Sequence, residues 1–283
     1  MNKIVCSNPS KQFDSYKNEI ELAVLSVLRG EQFILGDQVK LLEKEFAKYI
    51  GTKKAIGVAN GTDALELALR SLNIGIGDEV ITVSHTAIAT VAAIDSVGAK
   101  VKFVDIDPNF FTINPQQVVN KITKKTKALI VVHLYGQSAE LSALKAICDK
   151  NDIFLIEDVS QAHGGTYRKK KLGSFGKVSC FSCYPTKNLG AFGDAGLITT
   201  NDIKLAEKLS MLREYGWKNR VSYFKGRNSR LDEIQAAILR VKLRNLNKDN
   251  LKRKKIAKFY FKQLKNSPII LPKVRPSCEH VFH

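Results

Sequence analysis

The chain has 283 residues, 44% of them hydrophobic and 25% charged, with a formal net charge of +18. That length can bury a large core, and no apolar run approaches the ~20 residues a membrane helix needs. The opening "MNKIVCSNPSKQF" lacks the apolar stretch of a secretory signal.

Short apolar runs then alternate with helical patterns. "KAIGVA" (54–59) precedes "TDALELALRSL" (62–72), and "EVITV" (79–83) precedes "TAIATVAAIDSVG". "VKFVDID" (101–107), "KALIVVHLYG" (127–136), the helical "SAELSALKAICDK" and "DIFLIED" (152–158) follow. Strands without polar alternation, each followed by a helix, predict an α/β fold with a mainly parallel central sheet flanked by helices. "VSCFSCY" and "GLITT" read as two more strands, "DIKLAEKLSMLREYG" as a helix, and a long helical pattern starts near Arg230. A large domain over 1–245 and the start of a second, smaller one over 246–283, truncated after "EHVFH", is the expected organisation.

The charge is concentrated late. From Arg240 onward the chain supplies +11 of the +18, with Val241, Leu243, Leu246, Leu251, Ile256 and Phe259 interleaved as on an amphipathic helix. A basic solvated helix face accounts for this, and so does a field that draws an anionic substrate. Nucleic-acid binding is the weaker reading, because no recognition-helix, zinc-finger or RNA-binding signature accompanies the charge. Five scattered cysteines fit reduced thiols and a cytoplasmic protein.

In open parallel sheets ligands bind beyond the carboxyl ends of the strands. Three stretches fall there. Asn60-Gly61-Thr62 lies between a strand and a helix that Thr62 can cap, which suits either a phosphate cradle or a plain capped turn. Glu157 and Asp158 end an apolar strand, with Gln161 and His163 close behind. Alternation lets only one of the two acids face a ligand. His163 reads as a packed histidine. The third stretch, "FSCYPTKNLGAFGDAGLITT", isolates Lys187 before three glycines. It lacks the G-x-x-x-x-G-K-[ST] order of a nucleotide P-loop. Its C-x-x-C pair points to opposite faces of a strand, which argues against a metal or a disulfide. A phosphate cradle, a strand-end carboxylate and a lone lysine, in that order, are what pyridoxal phosphate chemistry requires: an amine for the aldehyde and an acid for the ring nitrogen.

The motifs "NGTDALELAL", "GAKVKFVDID", "VHLYGQ", "IEDVSQAHGG", "FSCYPTKNLGAFGDAG" and "GRNSRLDEIQAAIL" resemble the DegT/DnrJ/StrS family of sugar aminotransferases, from about Phe13 to the last residue. The resemblance implies the aspartate-aminotransferase type of fold and pyridoxal phosphate as cofactor. It makes Lys187 the Schiff-base lysine and proton shuttle, and sets Asp158 against the pyridinium nitrogen. Gln161 belongs at the ring hydroxyl. Gly61, Thr62 and Asp63 hold the phosphate with the Ser182 hydroxyl. Asn228 reaches the phosphate of the neighbouring subunit, so a homodimer with shared sites is implied. Where family members place a stacking aromatic this chain has Ala87, and His85 is the nearby candidate to stack instead. The substrates implied are a nucleotide-linked keto sugar, with a dTDP-3-keto-6-deoxyhexose favoured over a 4-keto or UDP-linked sugar, and glutamate as amino donor. A non-catalytic, nucleic-acid-binding relative is the alternative.

Overall fold

The computed structural model describes residues 7–283. Three helices come first: α1 (Pro9–Asp14), α2 (Lys17–Leu28) and α3 (Asp37–Ile50). The alternating part runs β1 (Lys54–Val58), α4 (Gly61–Ser71), β2 (Glu79–Val83), α5 (Ile88–Ser96), β3 (Lys100–Val104), the short α6 (Pro115–Val119), β4 (Thr126–Val132), α7 (Leu141–Asn151) and β5 (Phe154–Asp158). Two-residue strands β6 (Thr166–Tyr167) and β7 (Lys170–Lys171) precede β8 (Val178–Ser182), β9 (Gly196–Thr200) and α8 (Ile203–Leu212). A small hairpin of β10 (Trp217–Lys218) and β11 (Val221–Ser222), the 31-residue α9 (Glu233–Gln263) and β12 (Cys278–Glu279) complete the described chain.

Seven strands form the central sheet in the order β1-β9-β8-β5-β4-β2-β3. β2, β3, β4, β5 and β8 pair in parallel, whereas β9 runs antiparallel to both β8 and β1. The sheet is therefore mostly parallel with one reversed strand. β2 is buried throughout and β9 likewise, while β3 at the edge leaves Phe103 exposed. Helix α4 packs on β8 and β9, α3 and α8 on β1, and α7 on β5. Because apolar residues on both sheet faces need such covers, the strands read as unbroken apolar runs in the sequence.

Helix α3 has no side-chain cap of its own. The carboxylate of Glu233, at the start of α9, accepts hydrogen bonds from the Gln38 (2.8 Å) and Val39 (3.0 Å) backbone N–H groups instead. That contact satisfies donors which every helix leaves open at its start, and it ties the start of α9 to α3. α9 passes through residue 246 without a break, and its buried residues lie between Glu233 and Asn250. Of the terminal "EHVFH" only Glu279 is in a strand. Beyond it, the Val281 and His283 N–H groups still bond to the Gly136 and Tyr135 carbonyls. No helix among the described residues is long and apolar enough to cross a membrane.

Candidate active site

At the carboxyl end of β1, Asn60 is extended (φ −163°, ψ 178°) and its side-chain oxygen accepts a hydrogen bond from the Asp63 N–H at 2.8 Å. The cap of α4 is thus Asn60, two residues earlier than the expected Thr62, which lies inside the first turn. The Asp63 amide is consequently committed to the cap. Asp63 still lines the cavity below, but through a buried carboxylate 3.5 Å from Arg227. Gly61 and Thr62 remain at the positive end of an 11-residue helix, where backbone N–H groups favour an anion. A Cβ on Gly61 would stand 2.5 Å from the Ser182 Cβ, so only glycine allows β8 and the start of α4 to approach this closely.

Asp158 ends β5, level with Val132 of β4 and Cys180 of β8. One carboxylate oxygen accepts from the Ser160 N–H (3.1 Å), and the other from the Thr90 hydroxyl of α5 (3.3 Å). It is almost fully buried and faces the cavity. Glu157 points to the opposite side, as alternation requires. There it accepts hydrogen bonds from the Gly173, Phe175 and Gly176 N–H groups and the Ser179 hydroxyl, with His133 at 3.1 Å. Burial pushes its carboxyl pKa up, but the bond to His133 and the amides outweigh burial and hold it below the usual value.

Lys187 sits on the loop between β8 and β9. Because those strands are antiparallel neighbours, the loop starts and ends at one end of the sheet, closed by the Cys183 N–H donating to the Ala195 carbonyl at 2.8 Å. The loop glycines are closely packed. A Cβ on Gly190 would meet the Pro185 carbonyl oxygen at 2.5 Å, one on Gly193 the Gln235 amide at 2.9 Å, and one on Gly196 the Asn60 carbonyl. Helix α9 holds the loop from beneath. Gln235 accepts from the Phe192 N–H (3.0 Å), the buried Lys242 ammonium donates to the Gly190 carbonyl, and Asn250 accepts from the Asn188 side chain (2.9 Å). The Lys187 amine is half-buried. Burial lowers its pKa, the Asp158 charge opposes that, and the net shift is downward, which favours the free amine a nucleophile needs.

Gly61, Thr62, Asp158, Gln161, Ser182 and Lys187 line one cavity of about 440 Å³. Gln161 is fixed by accepting from the Tyr135 N–H at 2.7 Å. Thr86, Ser160, Tyr184 and Asp194 line the cavity too and were not anticipated. His85 does not join it. Its ring lies in an adjoining cavity of about 540 Å³, hydrogen-bonded to the Tyr135 hydroxyl at 3.0 Å, and Ala87 lines the first cavity in its place. Tyr135 is held there with φ 59°, which turns its ring toward His85 and Phe111. Asn228 is exposed and accepts from the Arg230 guanidinium (2.8 Å), away from this chain's cavity. His163 is fully buried against Phe181, and burial, helped by the Lys187 charge, depresses its pKa to about 3, so it is a neutral packed ring. Cys180 and Cys183 are separate buried thiols, and no cluster fit to hold a metal exists among the described residues. Cys6 lies outside the described residues.

Residues 14–283 match the DegT/DnrJ/EryC1/StrS aminotransferase family. The chain belongs to that family. It is 49% identical over 269 residues to a dTDP-3-amino-3,6-dideoxy-alpha-D-galactopyranose transaminase of Aneurinibacillus thermoaerophilus, which covers 95% of this chain and 74% of the relative. A UDP-N-acetyl-3-dehydro-alpha-D-glucosamine 3-aminotransferase of Acidithiobacillus ferrooxidans is 42% identical, over 96% of this chain and 74% of the relative. Among solved structures, S. venezuelae DesV in complex with a ketimine intermediate superposes with a TM-score of 0.98 at 41% identity, covering 100% of this chain and 76% of DesV. The chain is an aminotransferase of a family that works with pyridoxal phosphate. The glycine-only approach at Gly61, the doubly held Asp158 and the half-buried Lys187 amine in one cavity fit that cofactor.

Proposed function

We propose that this aminotransferase moves an amino group from glutamate to the keto group of a nucleotide-linked deoxy sugar, a dTDP-linked 3-keto-6-deoxyhexose being the first substrate to try. The observation that carries the reading is the convergence of Lys187, Asp158 and the Gly61 turn on one cavity. Pyridoxal phosphate, when bound, supplies an aldehyde for an amine and a ring that takes up an electron pair. The amides of Gly61 and Thr62 and the Ser182 hydroxyl would hold its phosphate, and Gln161 would flank the ring hydroxyl. Asp158, fixed by Thr90 and Ser160, would hold a proton on the ring nitrogen. Lys187 moves the proton at the substrate carbon that gains or loses nitrogen, and its depressed pKa readies it for that role.

Asn228 is exposed and lies outside its own cavity, which supports the reading that it completes the site of a second copy. The function is thus that of a homodimer. A UDP-linked 3-keto sugar is the second reading, favoured by the name of the Acidithiobacillus relative. The free thiols of Cys148, Cys180, Cys183 and Cys278 support a cytoplasmic site of action. The exposed Leu251, Ile256, Phe259 and Tyr260 of α9 support 246–283 as part of a smaller second unit.

The test is a glutamate half-reaction with the cofactor-loaded protein, followed by a panel of dTDP- and UDP-linked keto sugars. Wild type converts the near-visible absorbance of bound cofactor on adding glutamate, whereas Lys187→Ala binds cofactor without that conversion. Loaded wild type that shows no change with glutamate sinks the proposal.

A further inference from the structure

A second opening also reaches Lys187. It is a cleft of about 740 Å³ that shares only Lys187 and Gln161 with that cavity. Its volume lies within the range of pockets that take a whole small molecule, about 300–1,000 Å³. The remaining charged wall is Lys11 of α1 with Asp249, Lys252 and Arg253 of α9. Asp249 is already engaged, accepting from the Tyr16 hydroxyl (2.9 Å) and pairing with Lys252 (3.1 Å). Lys11 is exposed and 3.4 Å from Asp14.

Arg253 is different. It is half-buried, its one hydrogen bond is a long one to the Phe282 carbonyl (3.4 Å), and no carboxylate lies within 4.0 Å of it among the described residues. A guanidinium cannot shed its proton, so a partly desolvated and unpaired one is costly unless an anion completes it. The neighbouring His283 registers the same field: burial, Lys187 and Arg253 together push its pKa down to about 4.

We propose that Arg253, supported by Lys252 and Lys11, is the subsite for the diphosphate of the nucleotide-linked substrate. The proposal rests on the function given above. A planar guanidinium matches phosphate oxygens in pairs. Three cations spread along a cleft of this size suit a diphosphate better than the compact carboxylates of glutamate. A ligand anchored at Arg253 extends its far end toward Lys187, where the keto group must arrive.

Titration calorimetry of the cofactor-loaded protein with TDP and UDP tests the subsite without any turnover. Arg253→Gln is expected to weaken nucleoside diphosphate binding about 10- to 100-fold, the loss of one or two charge-assisted hydrogen bonds. Arg253→Lys restores part of it, and the KM for glutamate in the half-reaction stays at the wild-type value. Lys252→Gln, an exposed change that leaves folding intact, weakens binding about 3-fold by lowering the cleft's field and keeps the test open if Arg253→Gln misfolds. Unchanged nucleoside diphosphate binding in Arg253→Gln or in Lys252→Gln overturns the proposal. So does a raised glutamate KM with unchanged nucleoside diphosphate binding, which would give Arg253 to the amino donor. Wild type that reacts with glutamate yet binds neither TDP nor UDP overturns the subsite alone. Wild type that fails with glutamate overturns the functional reading beneath it.

Discussion

Replacing Lys242 with methionine separates the electrical cost of a buried ammonium from the work it does. The side chain is 2% exposed, donates to the Gly190 carbonyl and lies 4.7 Å over the Phe192 ring. Burial lowers its pKa from 10.5 to about 8, against the opposing influence of Cys183 and Asp249. Each unit is worth about 1.4 kcal/mol, so carrying the proton in the native state at pH 7 costs about 3 kcal/mol. The sign follows from proton counting. Between pH 8 and 10.5 the unfolded chain binds the proton and the native chain does not, so this residue's contribution to stability rises with pH across that window. Methionine removes the cost but leaves the Gly190 carbonyl without its donor, a loss of about 1–3 kcal/mol. At pH 7 the two nearly cancel, and Lys242→Met is expected to match wild-type stability within about 1–2 kcal/mol. Most of the relief has gone by pH 10, and wild type should by then have gained about 2–3 kcal/mol on the variant. Urea unfolding at both pH values measures this. Turnover should fall several-fold at pH 7 despite unchanged stability, because the Lys187 loop has lost a strut. A stability gap between wild type and variant that is equal at pH 7 and pH 10 refutes the reasoning.

Gly61→Ala forces its Cβ into Ser182, and about 1–3 kcal/mol of overpacking follows, read as a lower melting temperature together with weaker cofactor binding. A variant that binds cofactor as wild type does would show that β8 can retreat. Glu157→Gln removes a carboxylate whose pKa is held below the usual 4.5, so its stabilisation is present above that value and is lost as pH falls through the depressed one. The substitution should cost about 3–5 kcal/mol near neutrality and flatten the acid limb of a stability-versus-pH curve. An acid limb as steep as wild type would assign acid unfolding to other groups.

Much of the site could be read from the chain because it sits where apolar runs stop. The period of two in "DIFLIED" puts Asp158 and Glu157 on opposite faces, and the family resemblance picks Asp158 for the ligand side. What escaped were features set by distant partners. Nothing local in "GLITT" says that β9 is reversed, since that direction is chosen by pairing with β1 and β8. Helix α3 carries no local cap because Glu233, almost 200 positions on, supplies one. Asn60 and Thr62 are both good capping residues, and the extended backbone of Asn60, whose side chain accepts from the Asp63 N–H, decides between them. His85 looked available to a ring in the first cavity, but Tyr135, in a left-handed backbone conformation, draws it into the second. Arg253 was visible only as one more charge in a basic helix, and that no carboxylate among the described residues lies within 4.0 Å of it is a three-dimensional fact.

The reversal of β9 bears on when the amine's freedom is lost. Here Cys183 and Ala195 are tied across the base, and Gln235, Lys242 and Asn250 fasten the span, so the closing entropy is spent when the sheet forms. Little backbone order is left for the cofactor to impose. The enzyme should meet it with the loop already in its working shape, as a socket meets a plug.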